Sequence, residues 1–146
     1  MTSLFQRIVF IIAAISAMTL TGCASTGSGG PDKVVYHIND SANAIAVIRN
    51  AGNHLDVDPG ARIVVVSHSQ GVDFLMNDAK DPKGNPYNIG VEKLVARGVT
   101  FDVCQKTLQS RSFTQEQFIP EVKFVPSGVA EITKLQAREG YVYLKP

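Results

Sequence analysis

The chain carries two cysteines and three histidines, and no two of them stand at ligand spacing. There is no Cys-x-x-Cys and no His-x-x-x-His, which argues against a dedicated metal site. No cofactor motif is present either. The run Gly27-Ser-Gly-Gly30 has no strand before it and no helix directly after it, so it is not a dinucleotide fingerprint. Charge of one sign is also missing. Removing Arg7 with the leader discussed below from the 14 basic side chains leaves 13 against 13 acidic ones. Such a balance gives no electrostatic footprint for nucleic acid. Internal repeats are absent.

Long apolar runs are missing as well. The uncharged apolar stretch Ile8–Leu20 holds thirteen residues, short of the ~20 needed to span a bilayer. It follows Arg7, the only charge before Asp32. A basic residue followed by a short apolar core is the order of a secretory leader. The stretch closes on Leu20-Thr21-Gly22-Cys23. This resembles the lipobox of bacterial lipoproteins. The resemblance implies cleavage after residue 22, acylation of Cys23 and a cell-envelope, periplasm-facing location. Ala24 rather than Asp follows the cysteine, so nothing argues for retention in the inner membrane and the outer membrane is expected. Residues 23–31 then read as a flexible Gly/Ser tether, and residues 32–146 as one domain. A domain of that size buries roughly two thirds of its unfolded surface and needs no disulfide or metal to hold a core. With Cys23 acylated it could form no internal disulfide.

Within the domain, strand and helix signals alternate. Lys33–Ile38 is a strand, punctuated by Asn39-Asp40-Ser41, which can cap a helix. A helix is predicted from Ala42 to about Leu55, with Ile45, Ile48, Ala51 or Gly52, and Leu55 as its buried stripe. The β-branched run Arg62–Ser67 reads as a strand covered on both faces. Val72–Met76 reads as helical. Asp78–Asn88, with two prolines, reads as a loop. Val91–Arg97 is predicted helical with Gly98 at its end. Thr100–Cys104 is a third strand, Gln105–Ser110 a helix, Gln115–Ile119 a further helical segment, and Val122–Val125 a fourth strand. Gly128–Glu139 is a helix closed by Gly140, and Tyr141–Leu144 a last strand. This alternation predicts a mainly parallel sheet of about five strands with helices on both faces. Ligands of such sheets bind at the carboxyl ends of the strands. Asn39, His68, Cys104 and Ser127 fall there and are the candidate rim residues.

One motif on that rim fails. Ser67-His-Ser69-Gln-Gly71 follows a strand like a hydrolase nucleophile elbow, but Ser67 stands where the motif needs glycine. All three histidines precede Ser69, against the Ser, acid, His order of that fold. The bland alternative is a tight turn, with Gly71 supplying backbone freedom. His68 reads equally as a polar turn residue, His37 as a satisfied core or edge residue, and His54 as a helix-end group. Tyr141 and Tyr143 share a strand face, which packing explains.

Cys104 has two readings. A free cysteine commonly packs as a small hydrophobe. At a strand end before a helix, with Lys106 and Arg111 nearby, it is instead placed for a lowered pKa. Gly98-Val-Thr-Phe-Asp-Val-Cys104, followed by a short helix with Arg111, resembles the DsrE/DsrF-like family of sulfur-relay proteins. Arg49-Asn50, Asn53-His-Leu55, Val64-Val-Val-Ser-His68, Val125-Pro-Ser-Gly-Val129, Leu135-Gln136 and Gly140-Tyr-Val-Tyr-Leu-Lys-Pro146 resemble an uncharacterised branch of the same superfamily. The resemblance implies a three-layer α/β/α sandwich and homo-oligomers such as trimers or hexamers. It also implies that Cys104 is a persulfide carrier exchanging sulfur with a thiol-bearing donor or acceptor protein, without a cofactor. The alternative is a non-enzymatic oligomeric binding lipoprotein with Cys104 buried in its core.

Overall fold

The structure, a computed structural model, describes residues 29–146. Ile8–Leu20 and Cys23, on which the leader and lipidation expectations rest, lie outside the described residues. Among the described residues no helix is long and apolar enough to cross a membrane.

Pro31–Pro146 forms a compact unit built on five strands: β1 (Lys33–Ile38), β2 (Arg62–Ser67), β3 (Thr100–Cys104), β4 (Val122–Val125) and β5 (Val142–Leu144). Their order is β4-β3-β2-β1-β5, and every pairing is parallel. Four α-helices connect them: α1 (Ala44–Val57), α2 (Asn88–Val95), α3 (Gln105–Arg111) and α4 (Gly128–Glu139). The segments expected to be helical at Val72–Met76 and Gln115–Ile119 are instead 3-10 turns, Ser69–Leu75 and Gln115–Gln117, and a third 3-10 turn, Ser41–Asn43, takes up the start of the helix expected from Ala42.

Alternation along the strands sorts side chains onto two faces. Val34, Tyr36, Ile38, Ile63, Val65, Phe101 and Val103 join residues of α1, α2 and α3 in one large core. Val35, Val64 and Val66 point the other way and meet Ile132 and Leu135 of α4. Handedness explains the division. From β1 to β4 each strand is added on the same side, with its connection on the first face. β5 then returns to the far edge beside β1. Right-handed crossovers place their connection on the opposite face when the direction of strand addition reverses. Hence, among the described helices, α4 alone lies on the second face.

The buried stripe of α1 is Ala44, Val47, Ala51 and Leu55, one position out of phase with the predicted Ile45 and Ile48. Ile45 is 46% exposed. Small alanines let the helix axis lie close to the sheet, and this outweighs the larger apolar content of the isoleucine stripe. Ile48 is half-buried against Gly90 of α2, where a glycine Cβ would stand 3.0 Å from it. The turns at Gly98 and Gly140, with φ of 92° and 75°, end their helices as expected.

Candidate functional site

The chain leaves β3 toward the first face through α3 and leaves β4 toward the second face through α4. Adjacent parallel strands whose connections diverge open a crevice at their carboxyl ends. Cys104 and Val125, the last residues of β3 and β4, are paired in register there. A cavity of about 260 Å³ occupies this place, lined by His68, Ser69, Cys104, Thr107, Ser127 and Val129 among others. A second hollow of about 580 Å³ runs along α4 and shares Ser127 with the first, but no cysteine or histidine lines it.

Cys104 is 5% exposed, yet it belongs to neither apolar cluster. Burial by itself pushes its thiol pKa up. The Gly128 N–H, the Thr107 hydroxyl and the N–H groups of Thr107 and Lys106 outweigh this together, and the thiol lies below its ordinary value. The α3 contacts are not closed side-chain caps, so they act as oriented dipoles aimed at developing negative charge. The expected contribution of side-chain charge is corrected. Arg111 is paired with Asp73 and donates to the Ser69 carbonyl at 3.1 Å, and what Lys106 offers the sulfur is its backbone N–H. Thr107 is itself oriented, because its hydroxyl oxygen accepts from Ser69 N–H at 2.9 Å. Its own proton is thereby left for the sulfur.

Gly128 closes the crevice floor. A Cβ on it would stand 3.2 Å from the Cβ atoms of both Cys104 and His68. The bare glycine lets the first turn of α4 approach the two side chains together. Ser127 caps α4, accepting from Ala130 N–H at 3.5 Å, and also lines the cavity. Of the predicted rim residues, His68, Cys104 and Ser127 therefore converge. Asn39 does not line this cavity. It is half-buried behind the β2 turn, its Cα 2.8 Å from where a Gly71 Cβ would be. Gly71 is needed for this close approach and not for left-handed backbone freedom, since its φ is not positive.

His68 extends β2 by one residue, with φ −146° and ψ 174°, and its N–H donates to the Ile38 carbonyl at 3.1 Å. Its ring thus falls on the second face and meets His37 of β1. The two Nε2 atoms lie 2.7 Å apart, and the rings meet edge to edge, their centroids 4.8 Å apart and their planes inclined by 26°. His37 Nδ1 is 2.6 Å from the Tyr143 hydroxyl, and His68 Nδ1 is 2.9 Å from Ser69 Oγ. Tyr143 therefore has a polar partner as well as packing, and His37 is one member of a chain of four groups. Ser69 does meet an imidazole, but that imidazole's far nitrogen faces His37 and not the carboxylate a hydrolytic triad requires. Burial holds both histidines below the ordinary imidazole value, followed at His37 by His68 and then the charge of Lys145, and at His68 by the charge of Lys145.

Two further features lie near or apart from the site. Asp102, two residues before Cys104 on the same face of β3, is buried, and its pKa is pushed up to about 6 by burial and then by Glu131, against Lys123 and Lys134. Elsewhere, potential ligand atoms of Asp32, His54 and Asp58 come within 4.8 Å of one another, a grouping that spacing along the chain does not reveal. His54 Nδ1 there is 3.4 Å from the Tyr36 hydroxyl.

A family model described as the DsrE/DsrF-like family matches residues 23–146. The chain belongs to the DsrE/DsrF-like family. Among solved structures, this DsrE/DsrF-like chain is 31% identical to the protein of unknown function MTH1491 from Methanobacterium thermoautotrophicum. The TM-score is 0.69, with 79% of this chain and 99% of that one covered. It shares its fold with the ychN protein from E. coli at TM-score 0.66 and 17% identity, over the same 79% and 99% of the two chains. No curated protein matches it. The three-layer α/β/α expectation agrees with this family, and the parallel pairing holds throughout the sheet.

Proposed function

We propose that this DsrE/DsrF-like protein handles sulfane sulfur, with Cys104 as a persulfide carrier. The observation that carries the reading is the surroundings of the sulfur. Its N–H and O–H donors favour the thiolate, the nucleophilic form, and it borders a cavity with room for a second sulfur atom. In the transfer, the Cys104 thiolate attacks the outer sulfur of a donor persulfide. A Cys104 S–S bond forms while the donor S–S bond breaks. The departing electron pair stays on the donor thiolate, which takes up a proton. The same exchange in reverse passes the outer sulfur to an acceptor thiol, with no external oxidant or reductant.

Incubation of the native full chain with inorganic polysulfide is expected to add the mass of one sulfur atom. Cys104→Ala is expected to abolish the gain. Alkylation of the native protein is expected at Cys104, with a midpoint below the ~8.5 of a free cysteine. A thiol silent to both reagents until unfolding would favour the oligomeric binding platform, a reading supported by its 5% exposure.

The proposal includes an envelope location. Cys23 would carry the lipid, with the domain facing the periplasm on residues 23–31 as a tether. The order of Arg7, the apolar run and Leu20-Thr21-Gly22-Cys23 supports it. Cys23→Ala is expected to release the protein from membranes or to stall its processing. Unaltered mass and membrane association in that variant would refute lipidation. Homo-oligomers and thiol-bearing donor or acceptor proteins, both implied by family resemblance, complete the proposal.

A further inference from the structure

The proposed reaction leaves the His37–His68 pair unused. Two imidazole nitrogens 2.7 Å apart cannot both present lone pairs, and cannot both carry protons. One proton must lie between them. This fixes the outer nitrogens in either of two neutral arrangements. In one, His37 donates inward, its Nδ1 accepts from the Tyr143 hydroxyl, and His68 Nδ1–H donates to Ser69 Oγ. In the other, every donor and acceptor is reversed. A third arrangement holds one added proton: both Nδ1 atoms are protonated and donate outward, with a single proton still between the Nε2 atoms. A second added proton has no place. The two rings therefore titrate as one site over the first step.

One end of this chain reaches Tyr143, 37% exposed on β5. The other end, His68 and Ser69, lines the cavity that Cys104 lines, and Gly128 brings the His68 and Cys104 side chains against the same point. We infer that the His37–His68 pair is a one-proton store for the thiol, taking the Cys104 proton across the cavity and returning it through the same path. The inference rests on the reading of Cys104 as the reactive thiol. In the step, the Cys104 S–H bond breaks, its electron pair stays on sulfur, and the proton converts the neutral pair to its singly charged form. After sulfur transfer, the pair gives that proton to the departing thiolate. No electron leaves the system.

The groups facing the pair act on it from each side. Tyr143 and Lys145 stand at the β5 end, the Lys145 charge opposing protonation. Cys104 and Lys106 stand across the cavity. Arg111 touches the Ser69 carbonyl but is neutralised by Asp73. At neutral pH the pair is thus free to accept, and a thiolate forming beside it favours the charged form. His37 and His68 act on the thiol only through this proton exchange, as an acid–base pair, and a pH profile distinguishes that role from packing.

The test uses two measurements on the full chain. Nitrogen NMR of the imidazoles is expected to show coupling between the two Nε2 atoms across the shared proton. The rate of Cys104 alkylation is then followed against pH in the wild type, His68→Gln, His37→Gln and Tyr143→Phe. Both histidine variants are expected to shift the profile upward by about one unit, a roughly tenfold loss of rate at about pH 6. Tyr143→Phe, which removes only an exposed hydroxyl, is expected to shift it less and in the same direction. It keeps the test valid if a histidine variant does not fold. A profile moved by His68→Gln alone, or independent titration of the rings without coupling, overturns the pair. A reactive Cys104 with an identical profile in every variant overturns the store while leaving the sulfur reading intact. A wild-type thiol that does not react natively overturns both.

Discussion

Gly71→Ala is expected to leave little folded protein. A Cβ there would stand 2.3 Å from the Ile38 carbonyl oxygen, 2.6 Å from its carbon and 2.8 Å from the Asn39 Cα. All three are backbone atoms at the end of β1, a strand held between β2 and β5, so neither partner can rotate away. Gly71 N–H also donates to the His68 carbonyl at 2.9 Å, and displacement would disturb the turn that carries His68 and Ser69. Overpacking of side chains costs about 1–3 kcal/mol, and a backbone clash exceeds it. Set against a domain stability of about 5–15 kcal/mol, the melting temperature is expected to fall by at least about 15 °C. Gly52→Ala is the control. That glycine lies inside α1 with nothing within 4 Å of its Cβ position, so helix propensity alone is expected to raise stability by about 0.5–1 kcal/mol. Equal melting temperatures for the wild type and Gly71→Ala would refute the close approach of the β2 turn to β1.

Asp102→Asn is expected to stabilise the protein at neutral pH. Burial first, and Glu131 second, raise this carboxyl from 3.8 to about 6. The folded state therefore binds its proton more tightly than the unfolded chain does. The sign follows from linkage. The contribution of Asp102 is fully present below about pH 4, is lost as pH rises through about 6, and stays lost above. A shift of about two units corresponds to about 3 kcal/mol, or about 2 after solvent screening. Unfolding by denaturant at several pH values is expected to show the Asn variant ahead by about 2 kcal/mol at pH 7 and level with the wild type near pH 4. A variant less stable at pH 7 would mean that the ionised carboxylate is held by a favourable partner. Because Asp102 and Cys104 share a face of β3, the variant also tests how far that carboxylate's charge reaches the thiol.

Strand identity was legible in the chain for a local reason. Val64-Val-Val and its neighbours are β-branched and bounded by turn residues, and no tertiary contact is needed to recognise them. The helix phase of α1 was less so. Two apolar stripes run one position apart along it, and the distance to the sheet selected the alanine stripe. Thr107 and Gly128 carried little signal, because a threonine in a short helix and a glycine after a cap residue have ordinary local explanations. His37 and Tyr143 were visible as residues on alternating strand faces, but their meeting was not. They are 106 positions apart, and nothing local says that β5 lies beside β1.

The sequence by itself determined the alternation of strands and helices, the turn glycines, and the placing of Cys104 at the end of a strand and the start of a helix. Each is a matter of periodicity and backbone preference within a few residues. Tertiary structure alone decided the order β4-β3-β2-β1-β5 and, with it, the site. Reversal of strand addition after β4 sends α4 to the opposite face from α3, so the crevice opens at Cys104. It also places β5 against β1, which brings Tyr143 to His37. Right-handed crossovers on a twisted sheet enforce that geometry, and it acts over a distance along the chain that no local pattern spans.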